Sequence, residues 1–178
     1  MRICKKILAI ACMMTSMTNA DFQMGYNESY GSFHRSDESN NSVRYPFRRY
    51  EFYLGSDDWA DVGPFETTSL IVSFREFFYP ETKSISHRSY GIGITGRQIL
   101  AEAPLGYFYA DVYGMIDFIS IVPFAEFRSD IGYSLELGPF YAGAGVGVGL
   151  GRSILPDDLN VSYTTTQVYY KYHIGMRF

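Results

Sequence analysis

The segment from Val168 to Phe178 leaves a chain few folding options. Read in steps of two, Val168, Tyr170, Tyr172, Ile174, Met176 and Phe178 make an apolar face, and Tyr169, Lys171, His173, Gly175 and Arg177 make the other. A period of two is the mark of a β-strand, here one whose two faces meet media of opposite polarity. The segment stops on an aromatic residue with no polar tail, so a strand end is expected as the terminus of the mature chain.

At the other end, Arg2, Lys5 and Lys6 precede the apolar run Ile7 to Met14, and Thr18-Asn19-Ala20 offers a cleavage site. This is the pattern of a secretory signal peptide over 1–20, with Asp21 as the first mature residue. Its apolar run is too short to span a bilayer as a helix, and no other segment reaches the roughly 18 apolar residues such a helix needs. Cys12 lies too close to Lys6, with Ala9 where a Leu is usual, to read as a lipidated cysteine.

Both cysteines, Cys4 and Cys12, fall in the signal, so the mature chain must fold without disulfides or thiolate metal sites. Removing 1–20 takes away three basic residues and no acidic ones, leaving 12 Lys plus Arg against 19 Asp plus Glu. That acidic balance argues against nucleic acid as a partner. The 16 Tyr, 14 Phe and single Trp all lie in residues 21–178, a load suited to strands and membrane interfaces. With no low-complexity linker or charge run to divide it, 21–178 is expected to be one domain.

In chain order, residues 21–32 read as a first strand, with Phe22, Met24 and Tyr26 opposite Gln23, Gly25 and Asn27. The polar stretch His34 to Arg44 reads as a loop. A second strand over 46–56 sets Tyr50, Phe52 and Leu54 against Arg49, Glu51 and Tyr53, followed by a turn through Ser56–Trp59 and Gly63-Pro64. A third, 65–79, carries Leu70, Val72, Phe74 and Phe78 opposite Ser69, Ser73 and Arg75. After Pro80-Glu81-Thr82, a fourth over 85–97 sets Tyr90, Ile92 and Ile94 against Ser89, Gly91, Gly93 and Thr95.

A fifth strand over 104–115 sets Phe108, Ala110 and Val112 against Tyr107, Tyr109, Asp111 and Tyr113. From Ile119 to Leu137 one parity holds, with apolar residues at odd positions and Glu126, Arg128, Asp130, Ser134 and Glu136 at even ones. A turn would break that register, so a single long strand is predicted. Gly138-Pro139 makes a tight turn into 140–152, where Ala142, Ala144, Val146, Val148 and Leu150 alternate with the glycines Gly143 to Gly151. Pro156-Asp157-Asp158 marks a loop, and the last strand starts near 162.

The sum is an all-β chain of eight antiparallel strands, an even number that brings both chain ends to one side. Strands with an apolar outer face in hydrocarbon must pair every backbone N–H and C=O, which only a closed sheet achieves. Eight strands enclose a bore just wide enough for side chains to fill. The expected lumen network is Arg49, Glu51, Arg75, Asp111, Glu126, Arg128, Glu136, Lys171, His173 and Arg177, joined by Asp130, with both signs in near balance. The glycine row 143–151 is expected either to make room for Tyr107, Tyr109 and Tyr113 or to ease strand curvature.

The signal peptide, the eight alternating strands and the terminal Phe178 together resemble the small eight-stranded bacterial outer-membrane β-barrels, the OmpA transmembrane domain and OmpX among them. The resemblance implies a closed, up-and-down, monomeric transmembrane barrel in the outer membrane of a Gram-negative cell envelope, porin-like in architecture. It further implies outer-membrane lipids, lipopolysaccharide included, as surroundings, and the barrel-assembly machinery as a partner. That machinery would read Tyr170, Tyr172, Ile174, Met176 and Phe178 as the C-terminal assembly signal. With no domain expected after the last strand, the role implied is structural or surface-interacting, with loop 33–45 the expected contact for a surface ligand.

Some barrels of this architecture are lipid A acyl hydrolases or acyltransferases, which makes an enzyme the first alternative. Of the three histidines, His34 lies in the first loop, His173 faces the lumen, and His87 has Ser84, Ser86 and Ser89 nearby. Serines are common in polar hairpins and no His-x-Ser-Asn run occurs, so no catalytic residue is assigned and no enzyme is expected. No spacing recommends a metal, and no cofactor is expected. A second alternative is a soluble periplasmic lipocalin-like barrel, which alternates equally but turns its apolar face inward.

Overall fold

The computed structural model describes residues 22–36, 42–57, 65–119, 122–154 and 164–178. The expected signal segment, Trp59 and the 156–158 loop lie outside the described residues. The strands are β1 (Phe22–Ser36), β2 (Ser42–Ser56), β3 (Thr67–Phe78), β4 (Ile85–Ala103), β5 (Gly106–Ile119), β6 (Val122–Leu137), β7 (Phe140–Ser153) and β8 (Thr164–Arg177). Each pairs with the next and β8 returns to β1, giving a closed antiparallel up-and-down barrel.

Several expected boundaries are corrected. Both ends of the stretch His34 to Arg44 are strand and not loop: β1 runs on to Ser36 and β2 begins at Ser42, paired in register through Ser36↔Ser42. Its polar composition hid the strand, because where a hairpin carries polar residues on both faces the hydropathy alternation disappears. Of the expected contact loop 33–45, residues 33–36 and 42–45 are therefore strand, and 37–41 lie outside the described residues. β4 continues to Ala103 and β5 to Ile119, both longer than expected, and β6 starts at Val122 rather than 119. β6 is unbroken through Arg128, Ser129 and Asp130, as its constant parity predicts.

Register fixes how the barrel closes. A walk across paired residues from Gln23 passes Gly55, Ser69, Thr95, Tyr113, Arg128, Gly149 and Gln167 and meets β1 again at Phe33, ten residues above its start. Such a stagger demands strongly tilted strands, and it stacks inward side chains from different strands in a rising spiral. Two bulges in β4, at Ser86 and Leu100, adjust this register without losing closure. At the lower end, where the described chain begins and ends, β6 and β7 are joined by Gly138-Pro139. Gly138 holds a φ of 64°, the left-handed value that the first position of a two-residue hairpin calls for.

The polarity of the wall is inverted relative to a water-soluble core. Arg49, Glu51, Arg128 and Lys171 are each 0% exposed inside the bore. Phe52 at 64%, Ile92 at 59% and Val168 at 64% stand on the outside. The lipocalin-like arrangement, with an apolar interior, is therefore not the one this chain adopts. No helix among the described residues is long and apolar enough to cross a membrane, which says nothing of strands.

The glycine row of β7 serves mainly its neighbour β8. Gly143, Gly147 and Gly149 lie opposite His173, Tyr169 and Gln167, and a Cβ on each would come within 2.5 to 2.6 Å of those side chains. Of the three tyrosines expected to use this space only Tyr109 does so, its hydroxyl lying 2.8 Å from where a Cβ of Gly145 would be. The correction has a simple cause: large inward residues on an adjacent strand lie directly over their register partners, and nothing but hydrogen fits beneath.

Candidate functional site

Two connected clusters of charge occupy the bore. In the upper one, Glu126 of β6 lies at the centre of three arginines: Arg49 Nη2 at 2.5 Å, Arg75 Nη2 at 2.7 Å and Arg128 Nε at 3.0 Å. Arg75 also pairs with Asp117, and Arg128 with Glu51. Asn27 and Ser73 donate to Glu51 and Asp117 at 3.3 and 3.2 Å. Three cations and three carboxylates thus balance where neither sign could stand alone.

Aromatic rings flank this cluster on both sides. Arg75 lies 5.0 to 5.7 Å from the ring centres of Phe33, Phe47 and Phe77, and Arg128 lies 4.3 Å from that of Tyr113. Phe33, Phe47, Phe77 and Tyr169 form one buried cluster, with Phe33 edge-on to Phe77 at 4.9 Å. Guanidinium faces not used in ion pairs thus meet ring faces, an arrangement that favours Arg over Lys at these positions.

The lower cluster is built on register. Arg97 and Asp111 are paired residues of β4 and β5, and their bidentate contact measures 2.7 and 2.8 Å. Asp111 in turn lies beside Asp130 of β6, two like charges side by side. Lys171 separates them, donating to Asp111 at 2.8 Å, to Asp130 at 2.6 Å and to the Tyr113 hydroxyl at 2.7 Å, so all three ammonium protons are used. Tyr169 donates to Asp130 at 3.1 Å, and His173 bridges Ser134 at 3.1 Å and Tyr109 at 3.4 Å. Below these, the Tyr53 and Tyr141 hydroxyls meet at 2.9 Å.

Of the residues expected in the lumen, Arg49, Glu51, Arg75, Asp111, Glu126, Arg128, Lys171 and His173 are buried within these clusters. Glu136 and Arg177 are placed differently: they pair with each other at 3.1 Å on the lower rim, about a third or more exposed. Sequence reading missed Arg97 and Asp117. Both share the inward parity of their strands: Arg97 is the last residue of the expected 85–97 strand and is not counted among its inward residues, while Asp117 lies past the expected end of the 104–115 strand.

Of the three serines expected near His87, one contacts its ring. Its ring stacks on Phe77 at 4.2 Å and meets Tyr45 edge-on at 5.3 Å, inside the upper mouth. Ser86 contacts its Nδ1 at 3.0 Å, Ser84 pairs with Thr82, and Ser89 is buried in the bore. Among the described residues no group of three or more His, Cys, Asp or Glu is placed to hold a metal ion.

No protein-family model matches the chain, and no curated protein matches it in sequence. In fold it is similar to the crystal structure of Neisserial surface protein A (NspA), with a TM-score of 0.51 over 88% of this chain and 97% of that one, at 11% identity.

Proposed function

We propose that this chain is a small integral outer-membrane β-barrel with a structural or surface-interacting role. One observation carries the reading: fully buried arginines, lysine and carboxylates line the bore while large apolar side chains cover the outside. A soluble protein rarely exposes apolar patches beyond a few hundred Å², whereas a lipid-facing wall requires an apolar band. The fold shared with Neisserial surface protein A supports the same reading.

Export through segment 1–20, a monomeric state and assembly through Tyr170, Tyr172, Ile174, Met176 and Phe178 belong to this proposal. So does a bore that passes no solutes, because both charge clusters are internally paired and capped by rings. The upper hairpins would then face the exterior and offer contact to surface ligands.

The test is gel mobility of membrane-extracted protein with and without boiling, combined with lipid A mass analysis of expressing cells. A band that shifts only on heating, with unchanged acyl chains, is the expected outcome. Recovery of the mature chain free between the membranes would overturn the reading, and altered acyl chains would replace it with the enzyme.

A further inference from the structure

The outer wall is apolar along most of its height, but β1 and β2, with the neighbouring Glu76 of β3 and Arg88 of β4, break the pattern. Opposite the inward Ser29, Phe33, Phe47 and Arg49 stand Glu28, Ser32, His34, Arg44 and Arg48, all facing outward. Glu28 sits within the apolar band, since its register partners are Tyr50 on β2 and Tyr172 on β8. A lone carboxylate there would be costly, and a charged residue in such a place with a named partner is a functional-site candidate by default.

Its partners are specific. Arg48 Nε donates to Glu28 Oε1 at 2.5 Å, and the Tyr30 hydroxyl donates to the same oxygen. Arg48 lies 4.8 Å from the ring centre of Tyr50 and 5.2 Å from that of Tyr30, which stacks on Tyr170 at 5.4 Å. Higher up, Arg44 Nε donates to Ser32 Oγ at 2.5 Å, and Ser32 lies 3.5 Å from His34 Nε2. Among the described residues Arg44 is in no ion pair, and with Glu76, the register partner of Arg48, and Arg88, which pairs with Glu76 at 3.3 Å, the seam holds three guanidinium groups against two carboxylates.

Beside the seam runs a groove of about 980 Å³, bounded by Tyr30, Ser32, Arg44, Arg48, Val168 and Tyr170. Its upper part is basic and its remaining lining is mainly aromatic and aliphatic. That division matches an amphiphile with an anionic head and an acyl chain. A two-fold dimer would instead set the net positive seam against its own copy.

We propose that this seam and groove bind one phosphate-bearing lipid of the outer leaflet, of the lipid A class. The phosphate lies on Arg44 and Arg48, and an acyl chain runs along Val168 and Tyr170. Arginine forks suit phosphate oxygens, and the bond from Arg44 to Ser32 holds one of them ready. The inference rests on the membrane reading above.

The experiment is native mass spectrometry of the folded full chain released from detergent, with bisphosphorylated lipid A as probe. One retained lipid A is expected, with retention about tenfold weaker for phosphate-free lipid A and for the Arg44→Gln, Arg48→Gln double variant. Arg152→Gln, at the upper end of β7 and outside the groove, should leave retention unchanged. Because loss of Arg48 strands Glu28, Arg44→Gln alone is run in parallel, and it should weaken retention in a barrel whose Glu28 contacts are intact.

Equal retention of phosphate-free lipid A, or full retention by Arg44→Gln, overturns the proposal. Heat-dependent gel mobility on the same samples separates the two failures. A folded barrel that retains no lipid A sinks the lipid site alone, and a chain that is soluble without detergent sinks the membrane reading.

Discussion

Lys171 on β8 donates to Asp111 on β5 at 2.8 Å, between strands that share no backbone pairing. Backbone ladders bind each strand only to its two neighbours. A contact of this kind ties the last strand to the middle of the chain and, with Asp130, sets one ammonium between two adjacent carboxylates.

Lys171→Met should therefore be strongly destabilising. Asp111 keeps its bidentate partner Arg97, but Asp130 is left with only the Tyr169 hydroxyl. Breaking a buried ion pair by removing one partner costs about 3–5 kcal/mol. Urea unfolding in lipid vesicles, read by the heat-dependent band, should show a lower midpoint, and Lys171→Met with Asp130→Leu should recover part of it. An unshifted midpoint in the single variant would mean that water, and not lysine, satisfies the aspartates.

Glu126 and Glu136 lie ten residues apart on one face of β6, yet their neutralisation should differ sharply. Glu126→Gln leaves three buried arginines with only Glu51 and Asp117, at a cost on the scale of a broken buried pair, about 3–5 kcal/mol. Glu136 pairs with Arg177 at the exposed rim, where an ion pair contributes about 0–1 kcal/mol. The same unfolding assay on both variants checks the contrast; similar midpoints would show that the upper cluster is hydrated.

Glycine substitutions probe the interior surface of β7. A Cβ at Gly147 would sit 2.5 Å from the Tyr169 ring and 2.6 Å from the Asp130 Cβ, so Gly147→Ala should cost about 1–3 kcal/mol through overpacking. At Gly114, where a Cβ would meet nothing within 4 Å, alanine should be neutral or stabilising by up to about 1 kcal/mol. The fraction folded after dilution from urea into vesicles measures both, and equal yields would argue that the bore has slack beside Tyr169.

Period-two patterning made the architecture readable, since one face of each strand is apolar over the full band. Lys171 and Glu126 could be assigned to the lumen from parity alone, without knowing any neighbour. Arg97 and Asp117 share that parity, but Arg97 closes the expected 85–97 strand and Asp117 lies past the expected end of the 104–115 strand, so neither is counted as inward. The pairing of Lys171 with Asp111 was out of reach for a different reason. Which inward residues meet depends on the ten-residue stagger between Gln23 and Phe33, a property of closure that no single strand carries. Glu28 and Arg48 escaped because each, read alone, is an exception on an apolar face; only the register that sets them side by side makes them a pair.

A charge placed on the outer wall tests the medium around it. Ile92 is 59% exposed, between Tyr90 and Ile94 on β4 and far from the seam on β1 and β2. In water, Ile92→Arg would remove exposed apolar surface and cost almost nothing. In a bilayer, an arginine near the midplane costs about 2–4 kcal/mol, falling to about 0–1 at the interface. Gln98→Arg, an exposed position on the same face six residues nearer the lower end, should therefore be tolerated. Unfolding titrations in vesicles should separate the two variants by more than about 1 kcal/mol on that depth dependence. Equal stability would mean that no hydrocarbon surrounds Ile92, and the inverted wall would need another explanation.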